Sequence, residues 1–176
     1  MSVIRTATII ALIMNTTIMY DFTKNSDLTK WIIVNDVVMG GLSQSSLTLD
    51  EKGNGVFAGN VSLDNNGGFC MVQRPFDRIN VGNFEKIAIR VNGDGKKYQF
   101  RIKSNRNDYY SFVSYFSTSG EWETVEIGMK DMYPVFRGQR LDMPNFNSQF
   151  IGEVGFLIGN KKEERFKLLI DRISLF

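Results

Sequence analysis

WIIVNDVVMGGLSQSS, residues 31–46, decides how the rest of the chain is read. Apolar residues up to Val34, and again at Val38 and Met39, enclose an Asn35-Asp36 pair, and Gly40-Gly41 then releases the chain into a Ser/Gln run. A hydrophobic strand broken at a defined place by an amide, a carboxylate and two glycines is entropically costly. It is useful where a turn is held tightly against something else. The simplest role for Asn35 and Asp36 is an Asx-type turn that satisfies local backbone N–H groups; the sharper alternative is a polar floor under a ligand or partner loop. An Asp with no second carboxylate nearby in sequence is a weak signal for acid/base work, which usually needs two groups held at different pKa values.

Working outward, short apolar runs alternate with turn signals. Upstream, Asp27-Leu28 is placed to cap one helical turn before Trp31. Downstream, Ser45–Leu49 alternates as a strand, and Val56–Leu63 follows with Gly59 inside it, a sign of a bulge or of a close backbone approach from the facing layer. Asp64-Asn65-Asn66-Gly67-Gly68 is a turn, and Phe69–Gln73 a strand ending at Pro75. Ile87, Ile89 and Val91 alternate up to Asn92-Gly93-Asp94-Gly95, which reads as a hairpin turn into Tyr98, Phe100 and Ile102, with Gln99, Arg101 and Lys103 on the other face. Tyr109–Phe116 is apolar on both phases and is expected at the centre of its sheet. Trp122–Ile127 is a strand, Met129–Asn147 with Pro134 and Pro144 a long loop, and Val154–Ile158 and Phe166–Ile170 the last clear strands.

Eight or more strands with turns every eight to twelve residues, and no sustained 3.6-residue period, predict an all-β sandwich of two antiparallel sheets. Crossover helices for a parallel sheet have no room. At 176 residues and 43% apolar content the chain is long enough for one core without a staple. Residues 20–176 are expected to form that single domain, and residues 1–19 a leader or first strand with a signal-like apolar run from Ala7 to Met14.

Charge and composition exclude several functions. The net charge of +2 supplies no field that would recruit nucleic acid. With no histidine and one cysteine, Cys70, the chain holds no His-based triad, no zinc cluster and no internal disulfide. No cofactor, no metal and no catalytic residue is expected. Neither is an integral membrane segment, because the N-terminal apolar run is too short to span a bilayer.

Two surfaces remain. Arg101 and Lys103 share a strand face with Gln99, which is normally a solvated one. If that face is concave, Tyr98, Tyr109, Tyr110 or Tyr115 beside Arg and Gln would form a groove for a sugar or a protein. The segment 132–141, with Tyr133, Phe136 and Arg137, has the composition of an interface core, although Phe136 and Leu141 could equally plug the sandwich end. Asp94 between Gly93 and Gly95 looks calcium-like in isolation, but the spaced oxygen series of an EF-hand is missing.

VNDVVMGGLSQS (34–45), FAGNVSL (57–63), GGF (67–69), RVNGDGKKYQFRIK (90–103), SGEWETVEI (119–127), FRGQRL (136–141) and IGEVGFLIGNKKEERFKLLIDRI (151–173) together resemble the complex I intermediate-associated protein family. The resemblance spans about residues 22–176. It implies a galactose-binding-like jelly roll, related in fold to certain carbohydrate-binding modules, and an assembly chaperone for a respiratory-complex intermediate. The brief leader is expected of a compact, bacterial-type member. Carried onto this chain, the family pattern falls on Trp31, Asn35, Asp36, Met39, Gly40, Gly41, Ser43, Gly93, Asp94, Gly95, Tyr98, Arg101 and Trp122.

The expected function is therefore a non-catalytic protein-binding or assembly factor. A carbohydrate-binding module is the alternative, with a glycan as partner, and an acid/base hydrolase using paired carboxylates comes third. Asn35, Asp36, Asp94, Tyr98, Arg101, Tyr133, Phe136 and Arg137 are the expected contacts. Trp31, Met39, Gly40, Gly41, Ser43, Gly93, Gly95 and Trp122 are expected to hold the motif together. A cytoplasmic location is favoured, with membrane-peripheral attachment next and export by the leader last.

Overall fold

The computed structural model describes residues 16–176, together with the backbone but not the side chains of Val38 and Met39. Expectations for residues 1–15 and for the Met39 side chain lie outside the described residues. Two antiparallel sheets face each other, as the alternating apolar phases require. The first runs β3 (Gln44–Leu49), β4 (Gly55–Val61), β13 (Glu164–Leu175), β6 (Lys86–Gly93), β9 (Trp122–Gly128), with β1 (Thr17–Asp21) pairing the end of β13. The second runs β11 (Gln139–Arg140), β10 (Tyr133–Phe136), β8 (Ser111–Ser117), β7 (Lys97–Lys103), β12 (Phe150–Ile158), β5 (Cys70–Asn80), β2 (Ile32–Asn35).

Between them lies one aromatic-rich core. Phe57 of β4 meets Phe166 of β13 at 4.8 Å between ring centroids, Tyr98 of β7 reaches both Phe166 and Phe116, and Phe100 packs on Phe156 at 5.3 Å. Edge-to-face pairs of this kind add to what the buried area already contributes. Trp31 sits at one corner, stacked on Phe22 at 5.3 Å with Tyr20 edge-on to both.

Several local expectations give way to tertiary context. The turn at 92–95 is not a hairpin turn: β6 belongs to the six-stranded sheet and β7 to the seven-stranded one, so the chain crosses between layers there. Alternation reports which face is buried, not which strand is the partner. Gly95 takes φ +79 and donates its N–H to Thr118, while a Cβ on Gly93 would lie 2.5 Å from the Thr118 hydroxyl oxygen. β5 continues through Pro75 to Asn80, because β2 pairs only as far as Gln73 and leaves that edge free of the ladder a proline would break. Gly59 is approached by the neighbouring strand of its own sheet: a Cβ there would overlap the Gln44 carbonyl oxygen.

Tyr109 and Tyr110 lie outside β8, which is an inner strand between β10 and β7, and the most buried strand is β12, whose residues 151–158 are all buried. Asp27 caps no helix; its carboxylate accepts from the N–H and hydroxyl of Thr29 in a tight turn. The stretch 129–147 is no loop throughout, since β10 and β11 form a hairpin docked on β8. Its two-residue turn puts Arg137 at φ +47 and Gly138 at φ +77, both in the left-handed region, as the tightest hairpins require.

Candidate ligand-binding cleft

Residues directly opposed across antiparallel strands share a face, so the ladders define what the outer side of the seven-stranded sheet presents. One row runs Gln73, Gly155, Arg101, Val113, Tyr133 across β5, β12, β7, β8 and β10. The row beside it runs Val34, Met71, Leu157, Gln99, Tyr115. Val113, Val135 and Leu157 are buried yet stand apart from the core between the sheets, and Val135 and Leu157 line the floor of a second, outward-facing hollow. Its volume is about 480 Å³, in the range of small-ligand sites.

The walls come from the loops. Phe136, Arg137 and Gly138 of the β10–β11 turn close one side, with Tyr109 edge-on to Phe136 at 5.2 Å and an interplanar angle of 84°. Gly68 and Phe69 close the opposite end. That end is held by Asp36. Its carboxylate accepts from the N–H of Gly68 at 2.6 Å, of Phe69 at 3.2 Å and of Ser43 at 3.0 Å, and from the Ser43 hydroxyl. Burial pushes the Asp36 carboxyl up, but these four donors outweigh it and the net shift is downward.

Asp36 is thus 1% exposed and fully occupied inside the protein, and it positions the cleft wall instead of meeting a ligand. Asn35 likewise spends its side-chain carbonyl on the Ser45 hydroxyl at 2.7 Å. Gly40 ends the short 3-10 turn Asp36–Met39 at φ +89, and Gly41 makes room for the Asp36 carboxylate, which a Cβ at that position would overlap. Tyr98 is buried, and Asp94, although at the surface, is spent on partners within the protein. The Tyr98 hydroxyl donates to Asp94 at 2.7 Å, and Asp94 further accepts from Lys96 and from the Lys167 N–H, tying the crossing turn to β13. Trp122 lies on the far face, on the six-stranded sheet, under Arg90 at 5.3 Å.

Of the expected contacts, the cleft therefore gathers Arg101, Phe136 and Arg137, with Tyr133 in the Arg101 row beneath Arg140 at 4.7 Å. It does not gather Asn35, Asp36, Asp94 or Tyr98. It adds Gln73, Met71 and Ser111, which no sequence pattern distinguished, and Tyr109, Tyr115 and Gln99, which were candidates only if this face proved concave.

The electrostatics centre on β7. Arg101 donates from Nη1 to the Gln99 side-chain oxygen at 2.9 Å, while its buried Nε–H has no partner among the described residues. Lys103 holds the Glu153 carboxylate at 3.2 Å. Burial lowers the pKa of Arg101 and raises that of Glu153; the Lys103 and Arg101 charges pull Glu153 back without restoring it. The lining includes Arg101, Lys103 and Arg137 but no Asp or Glu. Among the described residues no group of three His, Cys, Asp or Glu is placed to hold a metal, and no helix is long and apolar enough to cross a membrane. The Cys70 thiol is buried and pushed up to about 11 by that burial, which makes it a poor nucleophile.

The model of the family described as complex I intermediate-associated protein 30 (CIA30) matches residues 20–170. The chain belongs to that family. A curated CIA30 relative, the mitochondrial protein of Mus musculus, is 24% identical over 182 residues, covering 90% of this chain and 56% of its own. The chain thus spans a little over half of that CIA30 protein. Among solved structures, the family 11 carbohydrate-binding module of Clostridium thermocellum, in complex with a β-1,3-1,4-mixed-linked tetrasaccharide, superposes with a TM-score of 0.68 at 16% identity over 92% of this chain and 95% of that one. A family 29 carbohydrate-binding module gives 0.51 at 10% identity over 92% and 91%. At such identities the likeness shows the fold: this CIA30 member is a galactose-binding-like jelly roll.

Proposed function

We propose that this CIA30 domain is a non-catalytic binding module that holds a segment of a protein partner in the cleft of its seven-stranded sheet, as an assembly factor does. The observation that carries the proposal is the pairing of a buried apolar floor, Val135 and Leu157, with an arginine whose Nε–H is left for an outside acceptor. Such a mixture suits a peptide with apolar and polar side chains. The rings argue the same way, because Tyr109 and Phe136 stand edge-to-face and Lys97 covers Tyr115 at 4.4 Å, so they form no flat platform. A cleft without a lining carboxylate offers no acid/base pair, which speaks for binding over hydrolysis. The partner class indicated by the family's name is an incomplete respiratory-complex intermediate, met in the cytoplasm or peripherally at a membrane.

Affinity capture from native lysate tests this. Wild-type protein is compared with a Tyr115→Ala/Phe136→Ala double variant that removes two cleft rings. Capture of a defined set of proteins by the wild type alone, with matching melts, supports the reading; equal capture by both sinks it. A second reading, glycan binding, is favoured by Tyr109 and Tyr115 being 65% and 46% exposed on the cleft. A glycan array run with the same two proteins separates the two.

A further inference from the structure

We infer that the cleft recognises an acidic side chain flanked by apolar residues in an extended protein segment, with Arg101 as the carboxylate anchor. The inference rests on the cleft being the binding site and names the chemistry of its occupant. Three observations converge on it.

The first is an unspent donor. A guanidinium offers five N–H groups in a planar fork. Arg101 engages Gln99 through Nη1, its Nε–H is buried without a partner, and no carboxylate stands within ion-pair distance of it among the described residues. A charge so placed is costly unless a ligand supplies the counter-charge. The second is that the internal carboxylate on this face is already taken: Glu153 belongs to Lys103. The lining therefore carries three cations and no Asp or Glu, and the cleft is complementary to an anion.

The third is the layout of apolar groups. Arg101 stands on β7, with Met71 two strands away on β5 and Val135 two strands away on β10. At about 4.8 Å per strand spacing, each lies roughly 10 Å from the β7 line, the reach of about three extended residues. An occupant crossing the strands would set its carboxylate over Arg101 and place an apolar side chain two to four residues away on either side.

Selection from a displayed library of random heptapeptides with blocked C-termini tests the inference. Targets are wild type, Arg101→Gln, Arg101→Lys and the Tyr115→Ala/Phe136→Ala variant, each with its melt recorded. Wild type should enrich Asp or Glu flanked by apolar residues, and a selected peptide should lose roughly tenfold or more in affinity on Arg101→Gln. Arg101→Lys, which keeps the charge but not the fork, should fall between them, and it carries the test if Arg101→Gln does not fold. Apolar enrichment without acidic residues, or equal acidic enrichment on Arg101→Gln, overturns the anchor while leaving the cleft. Indifference to the Tyr115→Ala/Phe136→Ala change overturns the cleft itself. Arg101-dependent binding of tetragalacturonate, measured by calorimetry, in the absence of peptide enrichment would make the occupant an acidic glycan and overturn the proposal as stated.

Discussion

Lys103 and Glu153, opposed on β7 and β12, form a 3.2 Å ion pair on the cleft side of the seven-stranded sheet, with both side chains mostly buried. The pair neutralises two charges that the sheet could not otherwise hold there, and it leaves Arg101 without a carboxylate of its own. Replacing Lys103 with Met strands the Glu153 carboxylate, which burial already disfavours, at an expected cost of about 1–3 kcal/mol in chemical denaturation at neutral pH. A Lys103→Met/Glu153→Leu double variant, which removes both charges, should recover most of that loss.

Asp36 joins three segments through one carboxylate, so Asp36→Ala should cost about 2–4 kcal/mol by leaving the Ser43, Gly68 and Phe69 N–H groups without their acceptor. Ser43→Ala removes one donor and should cost less. A double-mutant cycle between them should show coupling of about 1 kcal/mol or more, whereas independent effects would deny the shared network.

Gly40 and Gly41 are required for different reasons. Gly40→Ala meets no neighbour but is held at φ +89, and should cost about 1–2 kcal/mol whatever occupies position 36. Gly41→Ala forces its Cβ against the Asp36 carboxylate, so its cost should shrink in an Asp36→Gly background. Equal coupling of both glycines to Asp36 would contradict this division.

The acidic groups set opposite pH slopes. The folded-state pKa of Asp36 is depressed below 3.8, so its contribution is present above that value and lost as pH falls through the folded pKa. Glu153 is raised above 4.5, so its contribution is present below that value and lost as pH rises through its folded pKa. Urea unfolding across pH 2–7 should show the stability gap between wild type and Asp36→Asn widening as pH rises, and the gap to Glu153→Gln narrowing.

The Arg137-Gly138 turn holds one wall of the cleft. Gly138→Val places a β-branched side chain at φ +77 and should cost about 1–2 kcal/mol or release the hairpin, with partner capture falling in step. Gly138→Asn, which tolerates that conformation, should retain both.

How much of this was legible beforehand follows the range of the interactions. The burial of Ile87, Ile89 and Val91, the β7 alternation that puts Arg101 and Gln99 on one face, and the tight corner at Asn35-Asp36-Gly40-Gly41 are local patterns, and the chain carries them openly. The Arg137-Gly138 turn is not legible locally, because Arg is not a residue that the left-handed region favours, and the hairpin exists only together with the pairing of β10 to β8. Nothing local reveals that Asp94 and Tyr98 are spent on a structural tie, because the third partner of Asp94 is the Lys167 N–H, 73 residues away.

The sequence by itself determined an all-β chain with a buried phase on each strand, a turn chemistry at each break and a family whose pattern marks the corner, since period-2 burial and backbone preference act within a few residues. Only the tertiary structure decided which sheet each strand joins, that Asp36 faces inward to brace the cleft wall, and that Arg101 lies on a floor with its Nε–H unspent. Those outcomes depend on strand partners far apart along the chain, and pairing across such distances is set by how two whole sheets pack.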